Sequence, residues 1–301
     1  MKYIFFGTPR FAAIILEKLI EAGFPPAVVV CNPDKPAGRK LVMTPPATKS
    51  LIARLQDCKI KIWQPQKLEI GNWKLEIGEI KPDFAIIAAY GKIIPKEILE
   101  ISKFGTIGVH PSLLPKYRGP TPIQTAILNG EKETGITLFM VDEKVDHGTI
   151  LAQQELENYE LRIMNYESLN DRLAKLGAEL LIDFLTKNNT KEVGLPNIEF
   201  EPQNESQATY TKKFTTQDGY VESIDLENAQ KNGGEIAIQI ERKIRALNPE
   251  PGVWTYSYES TNMYENTKTK KRVKLLEAEI IDKKLRLKSI QVEGKLPTEI
   301  K

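Results

Sequence analysis

Apolar residues in this chain fall into short continuous runs, separated by stretches where they recur every three or four positions. Residues 2–6 form a strand-like run closed by Gly7. Thr8-Pro9 then supplies an N-cap followed by a proline suited to the first helical turn. Phe11, Ile14, Ile15, Leu19 and Ile20 recur at helical spacing up to Gly23, and residues 27–31 return to a β-branched run, so the opening reads as a βαβ unit with parallel strands. Residues 32–46 read as a loop, because their prolines and glycines interrupt regular structure, and residues 44–55 as a second helix. The continuous apolar run 83–90 fits a central strand covered on both faces. Further strands are expected at 106–109, 135–141 and 149–153, with helices at 95–101 and 122–128 and a long amphipathic helix at 167–187. Asparagine, proline and glycine cluster between 188 and 206, marking a linker, and strand runs resume at 253–258, 273–280 and 285–292.

Composition adds limits. At 301 residues, 41% hydrophobic and 27% charged, the chain is long enough for two domains and ordinary for a globular protein. Cys31 and Cys58 are too few for a disulfide framework and lack zinc-binding spacing, so no metal is expected and a reducing compartment fits. The N-terminus passes straight into a strand signal and no apolar run approaches membrane-spanning length, so a cytoplasmic chain without membrane contact is expected. The net charge of +2 hides an asymmetry: residues after 206 carry 17 Lys and Arg against 14 Asp and Glu. Gly7 stands without the Gly-x-Gly-x-x-Gly spacing, which argues against a dinucleotide site.

The candidate chemistry lies in residues 105–124. The strand run ends at His110, and the prolines and glycines beyond it force a loop, which places the histidine where side chains are presented to clefts. The only other histidine, His147, follows Asp146 and reads as a turn residue without a chemical role. A histidine to move a proton and a carboxylate to orient it are the minimal pair for acyl or formyl transfer, and His110 with Asp146 supplies it. A packed histidine beside a turn would leave the same pattern, and spacing alone does not separate the two.

The combination of His110-Pro-Ser-Leu-Leu-Pro, Arg118-Gly119 and Asp146-x-Gly148 resembles the folate-dependent formyltransferase family. Phe6-Gly7-Thr8-Pro9, Phe11-Ala12 and Pro36-Ala37-Gly38-Arg39 place the resemblance with the branch that acts on methionyl-tRNA, over nearly the whole chain. Where the family carries an asparagine two residues before its histidine, this chain has Gly108.

The resemblance implies an α/β fold: a Rossmann-like N-terminal formyltransferase domain over 1–189, a linker over 190–206, and a small OB-like β-barrel domain that binds tRNA over 207–301. It implies transfer of formyl from 10-formyltetrahydrofolate to the methionine amino group of initiator methionyl-tRNA, by a monomer with His110 and Asp146 as the catalytic pair. Gly108 occupies the third catalytic position. Ser112, Leu113, Leu114 and Pro115, with Tyr90 and Gly91, would shape the folate pocket, and Lys35, Arg39 and Lys40 would reach the tRNA acceptor end. The cluster Lys268, Lys270, Lys271, Arg272 and Lys274 fits either a nucleic-acid backbone or a solvated hairpin tip. Losing the asparagine leaves space for an ordered water, and Gly108→Asn is expected to raise the rate. The alternatives are N-formylation of an amino sugar or another small amine, and a non-catalytic binder of tRNA or folate.

Overall fold

The computed structural model describes residues 1–38, 41–55, 59–76, 80–156, 163–188, 202–260 and 268–300. Two compact units emerge: the first comprises residues 1–122, 133–158 and 170–211, the second residues 123–132, 159–169 and 212–301. The chain enters the second unit three times, for the last time after Thr211. Residues 189–201, most of the expected linker, lie outside the described residues.

In the first unit, β1 (Tyr3–Gly7) leads into α1 (Arg10–Glu21) and returns through β2 (Val28–Val30). The helix buries Phe11, Ile15 and Leu19 of the expected set together with Ala12 and Leu16, while Ile14 and Ile20 are only half-buried, so the covered face is turned slightly from the one the spacing suggests. Its N-cap is Pro9 and no side chain caps it. Thr8 instead accepts the Asn32 backbone N–H at 3.2 Å and donates to the Tyr90 carbonyl at 3.5 Å, tying the ends of neighbouring strands together.

The expected loop at 32–46 contains an exposed antiparallel ribbon of β3 (Lys35–Ala37) and β4 (Val42–Thr44). Both strands of a ribbon are edges, so a proline there need not cost a ladder bond, and Pro36 is accommodated opposite Met43. Then come α2 (Ala47–Arg54), β5 (Lys61–Trp63), α3 (Ile70–Glu76), β6 (Phe84–Ala88), α4 (Lys96–Leu99) and β7 (Thr106–His110). After α5 (Pro122–Asn129) follow β8 (Thr134–Met140), β9 (Ile150–Leu156) and α6 (Tyr166–Lys187).

These strands form one sheet in the order β5-β2-β1-β6-β7-β8-β9. Pairing is parallel from β5 through β7, then antiparallel through β8 and β9. Every residue of β1 and β7 is buried, as expected for interior strands with covered faces. Gly177 of α6 lets the helix lie against Val109 and Ile136, since a Cβ at 177 would stand 3.2 Å from Val109 Cγ1. Each aliphatic side chain fully buried in this way contributes about 1.5–3 kcal/mol.

The second unit contains α7 (Ser223–Lys231), α8 (Glu235–Leu247) and an antiparallel sheet of β10 (Val253–Ser260), β11 (Lys268–Ile281), β12 (Lys284–Val292) and β13 (Thr298–Glu299). Ala237, Ile240, Ile244 and Leu247 form the buried face of α8. Among the described residues, no helix is long and apolar enough to cross a membrane.

Candidate active site

His110 is the last residue of β7, and its ring is nearly enclosed, with 6% of the residue exposed. A carbonyl can only accept, so the 2.9 Å contact to the Tyr117 oxygen assigns a hydrogen to His110 Nε2. Nδ1 stands 3.6 Å from Asp146 Oδ2. Asp146, 36 residues later in sequence, comes from the connection between β8 and β9, and its Oδ2 also accepts the Gly119 N–H at 2.7 Å. The two side chains share a cavity of about 430 Å³, walled by Tyr90, Gly91, Gly108 and Phe139 among others. That volume lies within the range of small-molecule sites.

Gly108 also lines this cavity. A Cβ at 108 would lie 2.3 Å from Phe139 Cε1 and 2.5 Å from Cζ, because Phe139 stands directly opposite in the antiparallel pair. The space left by the missing side chain is therefore filled by an aromatic ring, not by water as anticipated. The same ring meets His110 edge-on, with centroids 6.5 Å apart. Asparagine at 108 would require Phe139 to move.

Tyr90 and Gly91 line the same cavity as His110 and Asp146. The Tyr90 carbonyl accepts from Asn32 Nδ2 at 3.1 Å as well as from Thr8. Its phenol is buried without a hydrogen-bond partner among the described residues, and burial pushes its pKa up to about 12. Ser112 to Pro115 do not line this cavity. They form the turn that follows His110: Ser112 donates to the Lys116 carbonyl at 2.6 Å, and the Leu114 N–H donates to Thr137 Oγ1 at 3.0 Å. Gln153 of β9 donates to the Leu114 carbonyl at 2.7 Å.

Lys35 is exposed on β3, whereas Arg39 and Lys40 lie outside the described residues. In the second unit, the guanidinium of Arg272 on β11 sits 4.0 Å from the ring centre of Trp254, a stacking that holds it on the sheet. His147 pairs with Asp142 at 2.6 Å and does not line the cavity. Among the described residues, no cluster of His, Cys, Asp and Glu is suited to a metal ion.

The structure gives Arg118 partners that local sequence does not signal. Arg118 is fully buried, and its guanidinium donates to Gln203 Oε1 at 2.8 and 3.0 Å, to both Glu205 carboxylate oxygens at 2.6 and 3.1 Å, and to the Tyr210 hydroxyl at 3.1 Å. This pairing holds the Glu205 carboxyl below its usual range. The backbone of 115–118 pairs with 209–211, and Thr209 Oγ1 accepts the Tyr117 N–H at 2.8 Å. Residues 203–211 thus brace the loop whose carbonyl holds His110.

A model of the formyl transferase family matches residues 1–185, and one of the formyl transferase C-terminal domain matches residues 234–300. The methionyl-tRNA formyltransferase of Kosmotoga olearia is 41% identical over 255 residues, which cover 85% of this chain and 76% of that one. Among solved structures, the methionyl-tRNA formyltransferase from Clostridium thermocellum shares the fold over 99% of both chains, with a TM-score of 0.59 and 18% identity. HypX from Aquifex aeolicus, solved in complex with tetrahydrofolic acid, does so over 99% of this chain and 45% of that one, with a TM-score of 0.59 and 15% identity. Matched along most of its length, the chain belongs to the formyl transferase family, alongside the methionyl-tRNA formyltransferases.

Proposed function

We propose that this enzyme transfers a formyl group from 10-formyltetrahydrofolate to the α-amino group of methionine on initiator methionyl-tRNA. Formyl transferases use folate-derived formyl donors. The observation that carries the reading is the placement of His110 and Asp146 3.6 Å apart on one cavity, in a chain 41% identical to a methionyl-tRNA formyltransferase.

The reaction forms a bond from the methionine nitrogen to the formyl carbon and breaks the bond from that carbon to N10. The amine must lose a proton, the formyl oxygen gains negative charge in passing, and N10 takes up a proton as it leaves. When Nε2 leaves the Tyr117 carbonyl for substrate, the ring exchanges its Nε2 hydrogen for one on Nδ1 beside Asp146, and the freed Nε2 accepts the amine proton and returns it to N10. Asp146 holds the ring by Nδ1 and favours the charged imidazolium while it carries the proton.

With Phe139 packed over Gly108, no side-chain amide reaches the formyl oxygen from that position. Loss of one such donor costs about 3 kcal/mol, or about a hundredfold in rate. The imidazolium N–H stabilises the oxygen from the other side. Tyr90 and Gly91 border the donor's ring system, and residues 112–115 act indirectly by fixing the turn after His110. Lys35, Arg39 and Lys40 contact the acceptor end, and the second unit provides further tRNA contacts.

The test is to incubate the purified protein with 10-formyltetrahydrofolate and either methionyl-tRNA or an amino sugar, and to follow each formylated product. Formyl-methionyl-tRNA is expected. Product on the sugar alone, or substrate binding without any product, overturns the reading.

A further inference from the structure

Gln203 lies in a Pro-Gln-Asn sequence whose composition reads as connector, yet it is buried and its amide is used in both directions. Oε1 accepts from Arg118 Nε at 3.0 Å and Nη2 at 2.8 Å. Nε2 donates to the Asp146 carbonyl at 2.9 Å and the Gly148 carbonyl at 2.7 Å. Two lone pairs and two N–H groups are all engaged, which is the whole capacity of a primary amide.

Asp146 needs such a hold. Its backbone has φ +48°, the left-handed region, which strains a non-glycine residue and persists where the surroundings impose it. Released from Gln203, the connection between β8 and β9 could relax and carry the carboxylate away from His110. We propose that Gln203 is a positioning residue for proton transfer, fixing the Asp146 turn against the buried Arg118 so that the carboxylate faces His110 Nδ1. The inference rests on the reading that His110 and Asp146 move the proton.

The residue type is constrained by the two tasks. Glutamate would satisfy the guanidinium but present oxygen to the two carbonyls, whereas lysine or arginine would satisfy the carbonyls and repel Arg118. Only a side chain with an acceptor and a donor pair at its tip serves both.

Gln203→Glu separates these tasks, because the bond to Arg118 survives while the hold on Asp146 is lost. Tyr210→Phe is the control, since it removes one Arg118 bond and leaves Gln203 untouched. The expected result for Gln203→Glu is a fall in kcat of about tenfold or more, with KM for both substrates changed by about twofold at most. The imidazole nitrogen resonances of His110, easily assigned in a chain with two histidines, move as Nδ1 loses its partner. Tyr210→Phe moves neither quantity.

Wild-type kcat and an unchanged His110 spectrum in Gln203→Glu overturn the inference, as do equal changes in Tyr210→Phe, which would indicate a general scaffold effect. Thermal melts verify folding, and if the glutamate variant does not fold, Gln203→Met, which gives up the bonds to Arg118 and to the Asp146 turn together, is read against Tyr210→Phe: a fall in kcat with a shifted His110 spectrum in the first alone supports the inference, and no change or equal changes overturn it. The spectrum reads the positioning without turnover. A shifted His110 spectrum in a wild-type background inactive on methionyl-tRNA would fail the functional reading alone, whereas an active wild type with an unaltered variant fails the inference alone.

Discussion

The loop after β7 and the loop after β6 both border the His110 cavity, but they are held in different ways. The first, residues 111–121, is fastened by Thr137 and Gln153 on one side and by residues 203–211 on the other, with a buried arginine at its centre. The second, residues 89–95, hangs on fewer ties: Thr8 and Asn32 hold the Tyr90 carbonyl, and Lys92 reaches the carbonyls of Pro65 and Gln66 at 2.9 and 3.0 Å. Ile93 stands almost free, at 93% exposure. The contrast follows from the tasks. Under the proposed function, a proton transfer tolerates little misplacement and its side is over-determined, whereas a wall that receives a ring works with some give.

The strongest way to break this contrast is Asp146→Asn, which removes the charge while keeping a short side chain tolerant of a left-handed backbone. A kcat loss of about 10²–10⁴-fold is expected with little change in KM, measured on methionyl-tRNA. Arg118→Met should cost about 1–3 kcal/mol in urea unfolding and lower kcat about tenfold or more, because the braced loop loosens. The Glu205 pKa is depressed in the folded state, so this pair stabilises the protein above the ordinary glutamate range and stops doing so as pH falls through the folded value. The stability gap between wild type and Arg118→Met should therefore narrow below about pH 4.

Gly108→Asn should destabilise by about 1–3 kcal/mol without raising kcat, since it drives into Phe139. Combined with Phe139→Val, which deletes the overlapping ring atoms, it should raise kcat about tenfold or more over Phe139→Val alone. A single-site Gly108→Asn with higher kcat would show that the ring yields freely.

On the looser wall the effects should be smaller. The Tyr90 phenol is pushed up to about 12, so the unfolded state ionises first and stability falls as pH rises from about 10 toward that value. Tyr90→Phe should lessen that alkaline loss in denaturant midpoints. Ile93→Ser should leave stability within about 0.5 kcal/mol, and should raise KM for the folate donor about fivefold if the donor covers this residue on binding.

The sheet was legible because its inner strands are unbroken apolar runs, and α1 because its buried residues keep helical spacing. His110 and Asp146 were legible as a pair through the motifs around them. The ribbon formed by β3 and β4 was hidden by prolines and glycines that ordinarily signal loops. Phe139 could not be matched to Gly108, because the register of β7 against β8 is set by tertiary packing and leaves no local trace. Gln203 was hidden for a similar reason: its partners lie 85, 57 and 55 residues away, and its neighbours look like connector.

That sequence separation bears on how the enzyme comes into being. A nascent chain released before Gln203 holds both members of the proton-transfer pair but not the segment that braces them. If Gln203 holds the Asp146 turn as proposed, ordering of that turn awaits synthesis of a stretch that supplies no reacting atom.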